Sequence, residues 1–246
     1  MTRSSNKVAI VTGASRGIGT AIAKRLAHDG FAVAVNYASD TAPAEEVVAD
    51  IKKAGGKAMP AQADISDPAA VRSMFDAVEA ALGGLDVIVN NAGIMKVGPI
   101  TEVDDDTFDR QIAINLKGVF NGMREAARRF KSGGRIISLS SSVVGLYHPN
   151  YSVYAATKGA VEAMTHVLSR ELRGRNITVN AIAPGPTATD LFLKANTQES
   201  IERLTKLAPL ERLGRPEDIA AAIAFLAGPD GAWINGQVLR ANGGII

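Results

Sequence analysis

Seven short apolar segments alternate with segments of helical periodicity along almost the whole chain. The apolar segments read as strands, and in the stretches between them apolar residues mostly recur at helical spacing. The predicted strands span residues 7–11, 31–36, 57–62, 85–90, 135–140, 176–182 and 237–240. This alternation predicts a doubly wound α/β (Rossmann) fold, a parallel sheet of order 3-2-1-4-5-6-7 with helices on both faces.

The composition sets further bounds on the architecture. With 246 residues and a hydrophobic fraction of 46%, the chain can bury one sizeable core. Residues 1–246 show no linker, short-period repeat or low-complexity segment. We therefore predict a single domain, with a mobile substrate loop in the irregular segment at about 186–213.

Charge and cysteine content argue against several classes of protein. The formal net charge is only +2 without long runs of one sign, so no nucleic-acid or membrane partner is expected. There is no cysteine, and His28, His148 and His166 lack a metal-like spacing, so we predict no metal site; His148 could line the substrate mouth. No apolar run spans a bilayer and no signal peptide follows the polar residues 1–7, which predicts a cytoplasmic protein.

A glycine-rich turn follows the first predicted strand directly. Residues 12–19 read T-G-A-S-R-G-I-G, and a helical pattern begins at once. In this setting Gly13 permits a tight turn, Gly17 lets a ligand approach the backbone, and Gly19 allows close helix packing. Free N–H groups at a helix N-terminus favour a pyrophosphate, so we predict a phosphate site; an ordinary turn is the alternative.

Three more polar or glycine-rich segments follow other predicted strands. They are residues 90–93 (NNAG), 141–142 (SS) and 184–185 (PG). Ligands of a doubly wound sheet bind beyond the carboxyl ends of its strands. We therefore expect these segments to meet the glycine-rich turn at one ligand-binding edge.

Tyr154 and Lys158 lie four positions apart in an alanine-rich, helix-favouring segment. On a helix, side chains at this spacing lie one above the other. An ammonium group held near a phenol lowers the phenol pKa from its usual value of about 10, towards the range useful for proton transfer. The alternative is a chance pair in which the tyrosine packs and the lysine is solvated.

Taken together, these segments resemble the short-chain dehydrogenase/reductase family. The glycine-rich turn, Asn90-Asn91-Ala92-Gly93, Tyr154-x-x-x-Lys158 and Pro184-Gly185 occur in the family's order and spacing over essentially the whole chain. The likeness is closest to 3-oxoacyl-carrier-protein-reductase-like members. The resemblance implies an oxidoreductase that transfers a hydride between a nicotinamide cofactor and a ketone, aldehyde or secondary alcohol, with Tyr154 as general acid or base.

The resemblance also implies roles for the neighbouring catalytic residues. It implies that Lys158 lowers the pKa of Tyr154 and holds the nicotinamide ribose. It implies that Asn115 anchors a proton-relay water, the alternative being a solvated polar residue. A serine should donate a hydrogen bond to the substrate oxygen. Local sequence favours Ser142, whereas the family's usual spacing from Tyr154 gives Ser141; we choose Ser142.

The resemblance implies cofactor contacts at each of the edge segments. They fall on Gly13, Ser15, Arg16, Gly17, Ile18 and Gly19 for the phosphates and adenosine ribose; Asp64 and Ile65 for adenine; Asn91, Ala92 and Gly93 for the inner ribose and nicotinamide; and Ile182, Pro184, Gly185 and Thr187 or Thr189 for the carboxamide. The alternatives are a surface acid and a core residue at 64 and 65, an Asn91 that only ties strand ends together, and threonines that cap a helix.

The end of the second predicted strand indicates which cofactor is preferred. An NAD site usually places a carboxylate there for the ribose 2′-hydroxyl. Here the strand ends in Asn36, and the residues that follow are Tyr37, Ala38 and Ser39. Arg16 is suited to a 2′-phosphate, with neutral hydrogen bonds from Asn36 and Ser39. We therefore predict NADP(H), although Asp40 lies close enough in sequence to weaken the preference.

Two other functions were weighed against the enzyme. A non-catalytic dinucleotide-sensing or scaffold protein could share the fold but does not need the Tyr–Lys pair. A sugar-nucleotide epimerase uses the same pair but usually has a larger C-terminal region. The substrate is a small carbonyl or alcohol, in a pocket shaped by segments 146–151 and 191–193.

Small residues on the predicted Tyr154 helix suggest close helix packing. They are Ala156, Gly159, Ala160 and Ala163. The family commonly pairs this helix and the preceding one between subunits in a four-helix bundle, so we predict a homotetramer. Close packing inside one subunit is the alternative.

Overall fold

The computed structural model describes residues 7–246, except the side chains of Leu191 and Ala195. The polar residues 1–6 of the sequence analysis lie outside this part. Seven strands form one parallel sheet in the predicted order β3-β2-β1-β4-β5-β6-β7. The strands are β1 (Val8–Val11), β2 (Ala32–Tyr37), β3 (Lys57–Gln62), β4 (Leu85–Asn90), β5 (Arg135–Leu139), β6 (Thr178–Pro184) and β7 (Val238–Ala241). The predicted fold class is confirmed.

Helices fill the connections between the strands. They are α1 (Gly17–His28), α2 (Ala42–Lys53), α3 (Pro68–Leu82), α4 (Asp105–Gln111), α5 (Val119–Arg129), α6 (Val143–Leu146), α7 (Ser152–Glu171), α8 (Asp190–Ala195), α9 (Gln198–Leu207) and α10 (Pro216–Ala227), with a π-helical segment at Ile112–Gly118 and a 3-10 turn at Pro229–Gly231. The Asp67-Pro68 pair in the sequence indicates a helix start, and Asp67 indeed caps α3, accepting a hydrogen bond from the Ala69 N–H at 2.7 Å, with Pro68 as the first helical residue.

Two apolar cores lie on opposite faces of the sheet. Successive side chains of a strand point to opposite faces, so Ala9 and Val11 enter one core and Val8 and Ile10 the other. Helices α1, α2 and α10 cover the first face, and α3, α5 and α7 cover the second. Burial of the sheet on both faces therefore explains why strands such as β1 are continuously apolar.

Backbone hydrogen bonds join the segments that leave the strands at their carboxyl ends. The Thr12 N–H donates to Val89 O at 3.0 Å, and the Ser142 N–H donates to Pro184 O at 2.9 Å. The Gly185 N–H donates to Ala241 O at 3.1 Å. The four edge segments of the sequence analysis therefore meet at one edge, as expected for parallel strands.

The long helix before β5 differs from its predicted pattern. The sequence suggested one amphipathic stripe through Phe108, Ile112, Leu116, Val119 and Met123. Val119 and Met123 are buried, but Phe108 is 46% exposed. The π-helical segment 112–118 lies between α4 and α5 and shifts the phase of the helix. Because of this shift, the polar residues Gln111 and Asn115 point inward and are buried.

The segment predicted as an irregular substrate loop contains two short helices, α8 and α9. Thr189 caps α8 and Thr197 caps α9, each accepting a backbone hydrogen bond from the first turn. The mobility of this segment stays a prediction. No helix of residues 7–246 has the length and apolarity needed to cross a bilayer.

Candidate active site

A cleft of about 1150 Å³ opens at the carboxyl edge of the sheet. Most of the predicted site residues line it. They are Gly13, Ser15, Arg16, Gly17, Ile18, Gly19, Asn36, Tyr37, Ala38, Asp64, Ile65, Asn91, Ala92, Gly93, Ser142, Tyr154, Lys158, Pro184, Gly185, Thr187 and Thr189. Ser39, Asn115 and Ile182 do not line the cleft, and the Ile182 side chain is wholly buried in the core.

The glycine-rich turn has the geometry of a phosphate cradle. Gly13 and Gly17 have φ angles of +61° and +57°, a region open to glycine and costly for other residues. A Cβ on Gly19 would lie 2.3 Å from the Gly13 carbonyl oxygen, so only glycine allows α1 to start this close to the turn. No side chain caps the N-terminus of α1, which leaves its first N–H groups facing the cleft. These observations fit a dinucleotide pyrophosphate.

Cationic side chains outnumber anionic ones along the cleft wall. The charged lining residues are Arg16, Asp64, Lys96, Arg110, Lys158, Asp190 and Lys194. Arg16 is exposed, and no carboxylate of residues 7–246 lies within salt-bridge distance of it. A positive lining suits a polyanionic ligand, and Arg16 has all its donors available.

Asn36 does not act as a free ligand group, contrary to the sequence analysis. It is 1% exposed, and its Oδ1 accepts a hydrogen bond from the Gly13 N–H at 3.1 Å. Its Nδ2 donates to the carbonyls of Ala61 and Ala63 at 3.0 and 3.1 Å. Because both ends of the amide are engaged, Asn36 fixes the glycine-rich turn to β2 and β3 and has no group left for a 2′-phosphate.

None of the residues that directly follow β2 places a carboxylate in the cleft. Ala38 and Ser39 are exposed, and Asp40 accepts a hydrogen bond from the Ala42 N–H at 3.3 Å at the start of α2. Asp40 therefore caps its own turn, and it does not line the cleft. Its expected effect against NADP(H) has no support in this geometry.

Asp64 and Ile65 lie at the far end of the cleft. The hydrogen bond from the Ser66 hydroxyl to Asp64, at 2.7 Å, holds the pKa of this carboxyl below its usual value. Ile65 is buried against Gly118, where a Cβ would lie 2.4 Å from the Ile65 side chain. The π-helical segment therefore packs directly on this wall of the cleft.

Asn91 ties two strand ends together. Its Nδ2 donates to the carbonyls of Thr12 and Gly13 at 2.8 and 3.1 Å. The Thr12 hydroxyl in turn accepts from the N–H groups of Asn91 and Ala92 at 2.9 and 3.0 Å. The geometry matches the structural alternative for Asn91, because its amide nitrogen serves the backbone rather than the cleft.

Lys158 and Tyr154 lie side by side on α7, as the four-residue spacing predicted. The Lys158 Nζ lies 5.6 Å from the centre of the Tyr154 ring and donates to Leu139 O at 2.8 Å. Burial lowers the pKa of Lys158 to about 8. Burial raises the pKa of Tyr154 to about 12, opposed in part by the neighbouring Ser141 hydroxyl. The expected lowering of this pKa by Lys158 is not found, and desolvation is the largest influence.

The two serines differ in what they face. The Ser142 hydroxyl is 2% exposed, donates to Ala183 O at 3.3 Å and accepts from the Asn242 Nδ2 at 3.0 Å. Ser141 also lines the cleft, and its hydroxyl lies near enough to Tyr154 to lower the pKa of that phenol. Because Ser142 is engaged by the Ala183 carbonyl and by Asn242, Ser141 becomes the stronger candidate, and which serine meets the substrate stays a prediction.

Asn115 lies in the π-helical segment and is fully buried. Its Oδ1 accepts from the Ile94 N–H and its Nδ2 donates to Ile94 O, both at 2.8 Å. Gly93 lies between Asn115 and Lys158, since a Cβ placed there would be 3.2 Å from Asn115 Oδ1 and 3.7 Å from Lys158 Nζ. Asn115 is thus a buried neighbour of the Tyr154–Lys158 pair and not the solvated residue of the alternative.

The two candidate threonines are both bonded to the backbone. Thr189 is the N-cap of α8, accepting from the Phe192 N–H at 3.3 Å. Thr187 is 5% exposed and donates to Gly185 O at 2.9 Å. The helix-cap alternative is correct for Thr189, while the carboxamide role of either threonine stays a prediction.

Several polar cleft residues are absent from the predicted site. They include Ser141, which the sequence analysis ranks second to Ser142, the cations Lys96, Arg110 and Lys194, and Tyr151, which is predicted only as part of the pocket segment. Ser141 was accessible to spacing, since counting back from Tyr154 gives it directly. The three cations carry no motif, and only the folded chain brings them to the cleft.

Comparisons with known proteins identify the family of this chain. The family model described as "Enoyl-(Acyl carrier protein) reductase" matches residues 13–246. A "Short-chain type dehydrogenase/reductase" of Picea abies is 45% identical, over 97% of this chain and 92% of the relative. This protein belongs to the short-chain dehydrogenase/reductase family. The narrower likeness to 3-oxoacyl-carrier-protein reductases stays a prediction.

Two further members of the family carry names that describe a cofactor. The Arabidopsis thaliana "NADPH-dependent aldehyde reductase-like protein, chloroplastic" is 42% identical over 98% of this chain and 94% of its own. The crystal structure of a short-chain dehydrogenase from Burkholderia cenocepacia in complex with NADP is 41% identical, covers 99% of both chains and has a TM-score of 0.94. The whole of this chain thus matches whole family members.

Proposed function

We propose that this protein is an NADP(H)-dependent oxidoreductase that interconverts a small ketone or aldehyde and the corresponding alcohol, with Tyr154 as the proton donor and acceptor. The observation that carries the proposal is the grouping of Ser141, Tyr154 and Lys158 on the wall of a cleft whose other end is a glycine cradle. Relatives named as NADPH-dependent or solved with NADP support the cofactor.

A nicotinamide held in this cleft would supply or accept the hydride, and the chain itself supplies the proton and the geometry. Because burial holds the pKa of Tyr154 near 12, its hydroxyl is protonated at neutral pH and is ready to donate to a carbonyl oxygen. Ser141 donates a second hydrogen bond to the same oxygen, so negative charge that develops there is stabilised by two donors. Lys158, with a pKa of about 8, carries a positive charge at neutral pH beside this site.

Asn115 holds the wall behind the catalytic pair. Its two hydrogen bonds to Ile94 fix the segment that follows β4 against the π-helical segment. This segment includes Gly93. A Cβ placed on Gly93 would lie within 4 Å of Lys158 Nζ, so the segment runs close to the lysine. Asn115 is a positioning residue in this proposal, and the proton-relay water implied by the family resemblance would lie next to it.

Arg16 provides the preference for NADP(H) in this proposal. Its guanidinium is exposed at the cleft, and neither Asn36 nor Asp40 competes for the ribose, since both are engaged elsewhere. Tyr37 and Ala38 line the same end of the cleft. A planar guanidinium can bind a phosphate group through two parallel hydrogen bonds. NADP carries such a phosphate on its adenosine ribose, whereas NAD has only a hydroxyl group there.

We expect Arg16→Ala to weaken NADPH but not NADH. The loss of a charge-assisted pair to a phosphate is worth about 1.5–3 kcal/mol, or roughly a tenfold to hundredfold fall in kcat/KM for NADPH. The measurement is kcat/KM for both cofactors, with Arg25→Ala as control, because Arg25 pairs with Asp29 on the exposed side of α1. An equal loss for both cofactors, or a wild type that favours NADH, contradicts the role of Arg16.

Turnover itself separates this proposal from the non-catalytic alternative. The test is a screen of ketones, oxoacyl thioesters and sugars for a change in NADPH absorbance. Tight NADPH binding without turnover of any class would favour the dinucleotide-sensing or scaffold function. The predicted cytoplasmic location belongs to the proposal as well, and fractionation of the source cells tests it.

The surface of α5 and α7 supports self-association. Phe120 on α5 is 45% exposed and Val167 on α7 is 56% exposed, and both helices cover the same face of the sheet. Ala156 and Ala163 on α7 are also exposed, which leaves space for a close helix. We propose that this surface forms the four-helix contact of a homotetramer.

Val167→Glu should dissociate the assembly, because association would bury an unpaired carboxylate in each subunit. We expect light scattering to give four times the 25.7 kDa chain mass for the wild type and a smaller particle for the variant. Ile100→Glu places the same charge on a 72% exposed residue outside α7 and serves as control. A monomeric wild type at micromolar concentration would end the tetramer proposal.

A further inference from the structure

The His148 ring holds a buried nitrogen atom without a partner. No protein group of residues 7–246 lies within hydrogen-bonding distance of His148 Nε2. Buried polar atoms of folded proteins are nearly always hydrogen-bonded, and each exception requires an explanation. The ring lines the cleft, so a molecule bound in the cleft is an available partner.

His148 belongs to a row of three rings that ends at the proposed proton donor. The ring centres of His148 and Tyr151 are 6.1 Å apart, and those of Tyr151 and Tyr154 are 6.5 Å apart. All three side chains line the cleft. A substrate whose carbonyl group meets Tyr154 can therefore extend along the row towards His148.

The segment that carries His148 adopts an unfavourable backbone conformation. Tyr147 and Asn150, on either side of His148 and Pro149, have φ angles of +51° and +73°. Non-glycine residues rarely adopt this region, and such positions cluster at ligand-binding sites. A hydrogen bond from the Tyr151 N–H to His148 O at 3.4 Å closes the segment. The backbone of this segment thus fixes the positions of the His148 and Tyr151 side chains.

Tyr151 adds a hydroxyl group to the same wall. Burial raises the pKa of Tyr151, and the charge of Arg203 opposes this only in part. The phenol therefore stays protonated at neutral pH and can donate a hydrogen bond. A neutral imidazole carries its proton on one of the two ring nitrogens. When the proton is on Nδ1, Nε2 of His148 can accept a hydrogen bond from a hydroxyl, and when it is on Nε2, that atom can donate to a carbonyl.

We propose that His148 and Tyr151 form a polar subsite that binds a second oxygen atom of the substrate. This deepens the proposed function and rests on it. The preferred substrates are then carbonyl compounds, or their alcohols, that bear a further hydroxyl or carbonyl group along the chain. A substrate with only an alkyl chain would leave His148 Nε2 unpaired, and a site built around a hydrogen bond discriminates against such an analogue.

The test compares matched ketones with NADPH as the reductant. Each straight-chain hydroxyketone, with its hydroxyl one, two or three carbons from the carbonyl, is paired with the ketone that lacks the hydroxyl. The quantity measured is the ratio of kcat/KM within each pair, which is then compared between wild type and variants so that intrinsic reactivity cancels. The variants are His148→Phe, which keeps a ring without the nitrogen, and His148→Gln, which keeps a polar group at a similar reach.

For the best pair, we expect the wild-type ratio to fall about tenfold or more in His148→Phe, as for a lost hydrogen bond at a buried polar atom, and to recover in part in His148→Gln. Tyr151→Phe should lower the same ratio. His28→Phe is the matched control, since this ring lies on the surface beside Asp29 and its ratio should not change.

Three results would overturn the subsite. If the ratios of His148→Phe equal those of the wild type while thermal unfolding shows that it is folded, His148 Nε2 binds only water. If His148→Phe slows both ketones of a pair equally, the residue has a general structural role. A wild type that reduces none of the ketones but binds NADPH contradicts the proposed function and, with it, the subsite.

Discussion

Tyr154→Phe is expected to reduce turnover by about 10²–10⁴ while leaving the affinity for NADPH within a few-fold. The substitution removes only the hydroxyl near Ser141 and keeps the ring that lies beside Lys158. The lost step is proton donation to the carbonyl oxygen, which is a property of the transition state and contributes little to cofactor binding. Steady-state turnover and fluorescence titration with NADPH measure the two quantities separately.

Tyr147→Phe is the matched control for this variant. Tyr147 is 84% exposed, seven residues before Tyr154, and does not line the cleft, so its hydroxyl should be dispensable. Near-wild-type turnover in Tyr154→Phe would remove Tyr154 from the mechanism. A large loss of NADPH affinity would instead assign the hydroxyl to cofactor binding.

Ser141→Ala should lower kcat/KM by about 10²–10³, the typical effect of losing one donor to a developing oxyanion. The prediction follows from the placement of Ser141 in the cleft beside Tyr154. The second donor, Tyr154, remains, which is why the loss should not reach the full effect of removing the site. Cofactor affinity should change little, since the serine acts on the substrate oxygen in this proposal.

Ser142→Ala gives the contrasting result with the same substitution one residue away. The Ser142 hydroxyl donates a hydrogen bond to Ala183 O and accepts one from the Asn242 Nδ2. Its loss should therefore lower the free energy of unfolding by about 1–3 kcal/mol and leave turnover within several-fold of the wild type. Thermal unfolding and initial rates distinguish the two variants. If Ser142→Ala loses activity while Ser141→Ala keeps it, the choice made from local sequence was right and our proposal is wrong.

Several structural features could be predicted because they depend on local pattern. Apolar runs at 8–11 and 87–89, separated by helical periodicity, indicated a sheet buried on both faces. The polar or glycine-rich segments that follow four of the strands then predicted where the site lies, because parallel strands end at the same edge of the sheet. Asp67 and Pro68 marked a helix start through their own side chains. The Tyr154–Lys158 spacing placed the two side chains together on α7.

The errors share a different origin. The amide of Asn36 was predicted to face a ligand, but carbonyls about 25 residues away in the chain engage it. The predicted stripe through Phe108 failed because one π-helical segment changed the phase of the helix and buried Gln111 and Asn115. Lys158 was expected to lower the pKa of Tyr154, but the extent of burial, which no spacing reveals, decides the direction.

The sequence by itself determined the fold, the edge at which the site lies and the residue types available there. Only the tertiary structure decided which atom of each residue remains free for a ligand. The reason is physical. Periodicity indicates which side chains can be buried together, whereas a hydrogen bond depends on the distance and angle between two particular atoms, which the path of the folded backbone sets. Ser141 and Ser142 are adjacent in the chain, yet one faces Tyr154 and the other faces Asn242.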